Sequence, residues 1–193
     1  PRATLGYASS TANDISLAAF KHLEDFLAGA PVNGLTHPAF YAQMLETQRS
    51  RLRVAWDLDQ TTDIIFAPSG TDLEFVALAL AKASSGKPIA NILLGQDEVG
   101  SGCVLAAAGR FFANETALEP HISKGLPVDG LEETDLINLP IRDDDGNPFD
   151  SATLTTQLLA IGDTNIRSGR HVLVHAVHGS KTGLVLPDLS DID

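Results

Sequence analysis

Two short, almost unbroken apolar runs, residues 88–95 (PIANILLG) and 171–177 (HVLVHAV), restrict the fold more than any other feature of this chain. Runs of that length bounded by turn residues read as strands covered on both faces. Alanine-rich residues 98–113 follow the first run and predict a helix, and a second helical stretch, residues 151–167, precedes the other. Residues 63–67 (DIIFA) add a shorter strand-like segment running into a turn at Pro68-Ser69-Gly70, and residues 134–141 (TDLINLPI) form a less regular stretch ahead of the polar residues 142–147. Residues 71–84 then set Leu73, Val76, Ala77 and Leu80 on one helical face. Strands alternating with helices predict an α/β fold, a mostly parallel sheet with helices on both faces in three layers.

The front of the chain has a different rhythm. Ile15, Ala19, Leu23 and Phe26 recur at helical spacing between Asn13, a residue suited to an N-cap, and Gly29, a stop. Phe40, Met44, Leu45, Leu52 and Trp56 continue a similar stripe through residues 37–58, with Arg49, Arg51 and Arg53 on what reads as a solvated face. The expected organisation is a helical segment over residues 1–60 and an α/β body over residues 61–193, with no repeat or low-complexity linker between them. A formal charge of −12 leaves no broad positive field for nucleic acid. The single cysteine, Cys103, excludes an internal disulfide framework and a Cys-x-x-Cys metal or redox pair, which points to a cytoplasmic setting. No apolar run reaches membrane-spanning length, and the opening residues PRATLGYASSTAND lack a secretory pattern.

The sharpest chemical feature is Ser69-Gly70-Thr71-Asp72, where a strand is expected to end and a helix to begin. Amides of a first helical turn have no partner within the helix, glycine admits a ligand close to the backbone, and two hydroxyls add donors, so a phosphate fits. The same residues also read as a plain helix cap, with Ser69 bonding to the position of Asp72. Gly100 and Gly102 follow a strand, but Leu105 stands where a dinucleotide fingerprint has its third glycine, so close packing is the simpler reading. Lys181, three residues after His178, is a low-weight candidate for a Schiff-base lysine. His175 reads as a core or rim histidine, and residues 143–147 read as a solvated turn, with no metal site expected.

Taken in order, these motifs resemble the fold type I pyridoxal-phosphate enzymes of the class V aminotransferase and cysteine desulfurase group. FAPSGTDLEFVALALA is similar to the strand, phosphate-binding turn and helix of that group, and VLVHAVHGSKTGLVLPDL to its later strand, turn and proline. The resemblance implies that Ser69, Gly70 and Thr71 hold the cofactor phosphate. It places Glu98 and Val99 in LLGQDEVGSGCVLAAAG where the family stacks a side chain on the ring, with no aromatic or histidine there, and Ser180 where an asparagine contacts the ring hydroxyl. The family's Schiff-base lysine and its pyridine-pairing aspartate follow the segment matching Gly183–Pro187. The chain is therefore expected to be the front part of such an enzyme, acting on an amino-group substrate and pairing as a homodimer or with its missing C-terminal part. Two other readings stand beside it: a non-catalytic phosphate-ligand-binding subunit, and a Rossmann-like nucleotide-binding protein.

Overall fold

A computed structural model describes residues 14–31, 36–116, 121–179 and 181–191. Asn13 and Ser180 lie outside the described residues. The chain divides into two compact units, Pro1–Ile65 and Phe66–Asp193.

The first unit holds α1 (Leu17–Gly29) and α2 (Pro38–Ala55). The first helix begins later than the apolar spacing suggests because Ser16 caps it, its hydroxyl accepting the Ala19 amide at 3.2 Å. In α2 the stripe of Phe40, Met44, Leu45 and Leu52 is half-buried, whereas Trp56 just past the helix end is 70% exposed. Neither helix has a fully buried residue.

The strand expected at residues 63–67 does not form. Arg49 Nε donates to the Ile64 carbonyl at 2.9 Å and Arg53 Nη2 to the Thr62 carbonyl at 3.3 Å. Guanidinium groups on α2 thus take up carbonyls that a strand would offer to a neighbour. This corrects the reading of these arginines as a solvated face: Arg49 and Arg53 clamp the segment that leaves α2, and both also pair with Glu46.

The second unit is α/β. It runs α3 (Gly70–Ser85), β1 (Ile89–Leu94), α4 (Ser101–Ala107), β2 (Thr134–Leu139), α5 (Ser151–Arg167) and β3 (His171–His175). A two-stranded antiparallel piece, β4 (Val177–His178) with β5 (Val185–Leu186), and a 3-10 turn at Leu189–Asp191 complete it. The main sheet has three parallel strands in the order β2-β1-β3. All six residues of the central strand β1 are buried, as a strand covered on both faces requires.

Alternation along β1 divides the interior in two. Ile92 and Leu94 pack with Leu139, Ile141, Leu154, Leu158 and Val177, which brings α5 onto one face. Ile89 packs with Leu78, Ala81 and Leu131, with Phe75 and Leu173 beside them, on the α3 side. The buried face of α3 is therefore not the one its spacing suggested, since Leu73 is 45% and Leu80 is 59% exposed. Residues 73 and 75–81 of α3 are all apolar, so periodicity could not choose a face. The alanine-rich helix is also shorter than expected. It ends at Ala107, and Gly109 turns the chain at φ +67°, where a Cβ would lie 2.8 Å from the Leu131 carbonyl oxygen. The 171–177 run breaks after His175 into two strands.

Candidate functional site

The strand order β2-β1-β3 places a topological switch point between β1 and β3. Open α/β sheets bind ligands outside the C-terminal ends of their strands at such a point. Three chain segments stand at that edge here: the turn opening α3, residues 95–100 after β1, and residues 181–184 after β4.

At the first segment, Ser69 caps α3. Its hydroxyl accepts the Asp72 amide at 3.2 Å and donates to Asp72 Oδ2 at 2.6 Å. A Cβ built on Gly70 would meet nothing within 4 Å, so the backbone of the turn is open to approach. Thr71 lies on the inner side, its Oγ1 3.3 Å from Cys103 Sγ on α4. A Cβ on Gly102 would touch the Thr71 methyl and Phe112 at 3.5 Å. Gly102 thus lies where α4 meets α3, whereas Gly100 is the N-cap of α4, a helix of only 7 residues.

The second and third segments are tied to each other. Glu98 is almost wholly buried, its side chain 1% exposed. It accepts the Thr182 amide at 3.1 Å and hydroxyl at 2.6 Å, and it pairs with Arg142 Nη2 at 3.0 Å. Arg142 also donates to the Thr182 hydroxyl at 2.8 Å and to the Gly146 carbonyl at 3.0 Å. One carboxylate therefore fastens the loops that follow β1, β2 and β4. This gives Glu98 an anchoring role in place of the ring-facing one that its position implied. Half-buried Val99 stands next to it, its carbonyl accepting Lys181 Nζ at 2.7 Å, and the Asp97 carbonyl takes the same ammonium at 3.2 Å. His178 is exposed and paired in the β4–β5 ladder opposite Val185.

Two residues of this edge were not singled out for chemistry by the sequence. Glu74, in the second turn of α3, brings its Oε2 to 3.1 Å from His175 Nδ1 at the end of β3. Both side chains are largely buried, yet among the described residues neither Glu74 Oε2 nor His175 Nε2 has a hydrogen-bond partner of acceptable geometry. Burial pushes the Glu74 carboxyl up to about 7 and holds His175 below its ordinary value. The signal for Glu74 was its phase: it lies four residues before Leu78, on the side of α3 that is buried. His175 had been placed as a core or rim residue, and its register opposite Leu93 sets it toward α3.

The turn at Ser69–Thr71 fits a phosphate group through its first-turn amides and the Thr71 hydroxyl, and through the Ser69 hydroxyl once that group turns from the Asp72 carboxylate and amide it now binds. Residues 143–147 close on themselves, Asp143 Oδ1 accepting the amides of Asp145 and Asn147 at 3.0 and 2.8 Å. Among the described residues no helix is long and apolar enough to cross a membrane. Compared with protein-family models, curated protein sequences and solved structures, the chain matches none of them.

Proposed function

We propose that the unit Phe66–Asp193 binds a phosphorylated small molecule at the C-terminal edge of its sheet. On the resemblance of its motifs, the ligand is pyridoxal phosphate and the parent a class V aminotransferase-like enzyme of fold type I. The carrying observation is the open, hydroxyl-bearing turn at Ser69-Gly70-Thr71, set at the start of a 16-residue helix. Helices α3 and α5 on opposite faces of β1 support the finer reading of a three-layer large domain. The substrate class is an amino compound, and the assembly is a homodimer or a pairing with the C-terminal part of the same enzyme.

Pyridoxal phosphate, when bound, supplies an electron sink for bonds at the α-carbon of an amino substrate. This chain's part is to bind and orient. Gly70 and Thr71 present amides, Ser69 and Thr71 add hydroxyls, and the Glu98–Arg142–Thr182 network holds the loops around the crevice in place. Ser180 is the proposed partner of the ring hydroxyl. Lys181 is not given the Schiff-base role, because its ammonium is held by the Asp97 and Val99 carbonyls. That same observation favours, as a second reading, a subunit that binds a phosphate ligand without lysine chemistry of its own.

The test is binding of pyridoxal phosphate and of inorganic phosphate to the native chain and to the S69A/T71V double variant. Loss of two hydroxyl donors to an anion lowers both affinities at least about tenfold. Equal affinity in the two proteins sinks the site. Borohydride treatment of the loaded chain separates the readings, since an adduct mapped to Lys181 would restore that lysine to a catalytic role.

A further inference from the structure

The Glu74–His175 pair has no part in holding a phosphate, yet it is built into the same end of the same helix. It consists of a carboxyl and an imidazole in contact at 3.1 Å, with Glu74 Oε2 and His175 Nε2 both buried and, among the described residues, both without a well-aligned hydrogen-bond partner. Buried polar atoms gain from any bond they can add, so the pair is a place where an extra proton finds an acceptor. Two titratable groups in contact share their protons, and the pair gains or loses them as a unit. Glu74 lies four residues beyond Gly70, about 6 Å along the helix axis at 1.5 Å per residue. A negative charge bound at the turn therefore acts directly on it, disfavouring the carboxylate and favouring the imidazolium.

We infer that Glu74 and His175 form a proton-holding pair that takes up a proton when a dianion binds at the Ser69–Thr71 turn, so that proton and anion bind together. This rests on the anion site proposed above and specifies its regulation. The pair sets the pH range in which the site fills: with the proton in place α3 offers the dianion an uncharged Glu74, and without it a carboxylate stands in the next turn. Among the described residues the other titratable groups facing this end of α3 are Asp72 on the helix itself, Cys103 on α4, which touches Thr71, and Glu115, which lines a cavity with Pro68, Asp72 and Phe75. Strand β1 carries no titratable side chain, and β3 contributes His175.

Sulfate is the probe, since it remains a dianion throughout the range where phosphate changes charge. Its affinity for the native chain is expected to fall about tenfold between about pH 6 and about pH 8.5, the effect of one pKa unit of coupling. Calorimetry near pH 7.5 in two buffers of different ionisation enthalpy should show proton uptake on binding. E74Q should bind sulfate with a flat pH profile and no uptake, while D72N and C103S keep the native slope. Sulfate that binds the native chain equally at both ends of the range overturns the linkage and leaves the anion site standing. A slope that survives E74Q but disappears in D72N or C103S assigns the proton elsewhere and also overturns it. A native chain that binds no sulfate at any pH removes the anion site and the linkage together.

Discussion

The two faces of strand β1 are built from different chemistry. Toward α5, Ile92 and Leu94 meet Leu139, Ile141, Leu154, Leu158 and Val177, a hydrocarbon cluster beside which α5 buries one neutral hydroxyl, that of Thr155, and no titratable group. Toward α3, Ile89 and Leu93 bracket Asn91, which is fully buried, donates to the Ala107 carbonyl at 2.8 Å and, among the described residues, leaves its own Oδ1 without a partner. At the upper end of that face, opposite Leu93, stands His175 with Glu74. Buried polar groups lower stability unless every bond is made, so a sheet that needed only a core would repeat its α5 face on both sides. The difference assigns cohesion to one face and polar chemistry to the other. Only the polar face belongs to the helix whose N-terminus opens at the switch point.

Substitutions can break this contrast, and the largest effect belongs to the hydrocarbon face. Leu154 is completely buried on α5, and L154A should destabilise the chain by about 3 kcal/mol in urea unfolding, through lost burial and the cavity left behind. A cost below about 1 kcal/mol would mean that the α5 face is loosely packed and that the contrast fails. Next comes the anchor at the sheet edge. E98A strands Arg142 without its buried partner and frees Thr182, for about 2 kcal/mol, less than a fully buried pair because Arg142 is partly exposed. Hydrogen exchange should rise in residues 179–184, and unchanged protection there would detach those loops from Glu98.

How legible these features were depended on whether a segment's environment is fixed by its own pattern. The strand at 89–94 and helix α5 were readable because an unbroken apolar run, or a helical stripe over residues 151–167, admits one placement, whereas residues 134–139, polar at Thr134, Asp135 and Asn138, become a strand only through their pairing with β1. The buried face of α3 was not readable, since a helix apolar nearly all round gives no phase, and the true face is marked only by the inward-phased Glu74. Residues 63–67 read as a strand by composition, but a strand requires a neighbour, and here Arg49 of α2 takes the Ile64 carbonyl while Arg53 holds the Thr62 carbonyl just before the segment. At the site, Ser69-Gly70-Thr71 was legible as local helix-start chemistry. The Glu98–Thr182 link, 84 residues apart, and the Glu74–His175 contact were not, because nothing local encodes a pairing made only by the stacking of α3 and the loops on the sheet.

The smallest expected effect is the one that probes the polar face most directly, the pH dependence of stability in E74Q. Glu74 keeps its proton to about 7 in the folded chain, whereas an ordinary glutamic carboxyl releases it near 4.5. Across that interval the folded state binds more protons than the unfolded one, so the contribution of this group is full below the lower value and lost as pH rises to the upper. His175 runs the other way: lowered from 6.5, it is short of a proton when folded, and its penalty fades as pH rises toward that value. The two trends oppose each other in the native chain, and glutamine removes only the first. E74Q should therefore gain on the native chain between about pH 5 and about pH 8, on the order of 1 kcal/mol after discounting for solvent screening of a partly exposed pair. Urea midpoints at the two pH values measure it. A constant difference would mean that Glu74 ionises like a surface carboxylate, and the α3 face would then carry no more polar strain than the hydrocarbon face behind it.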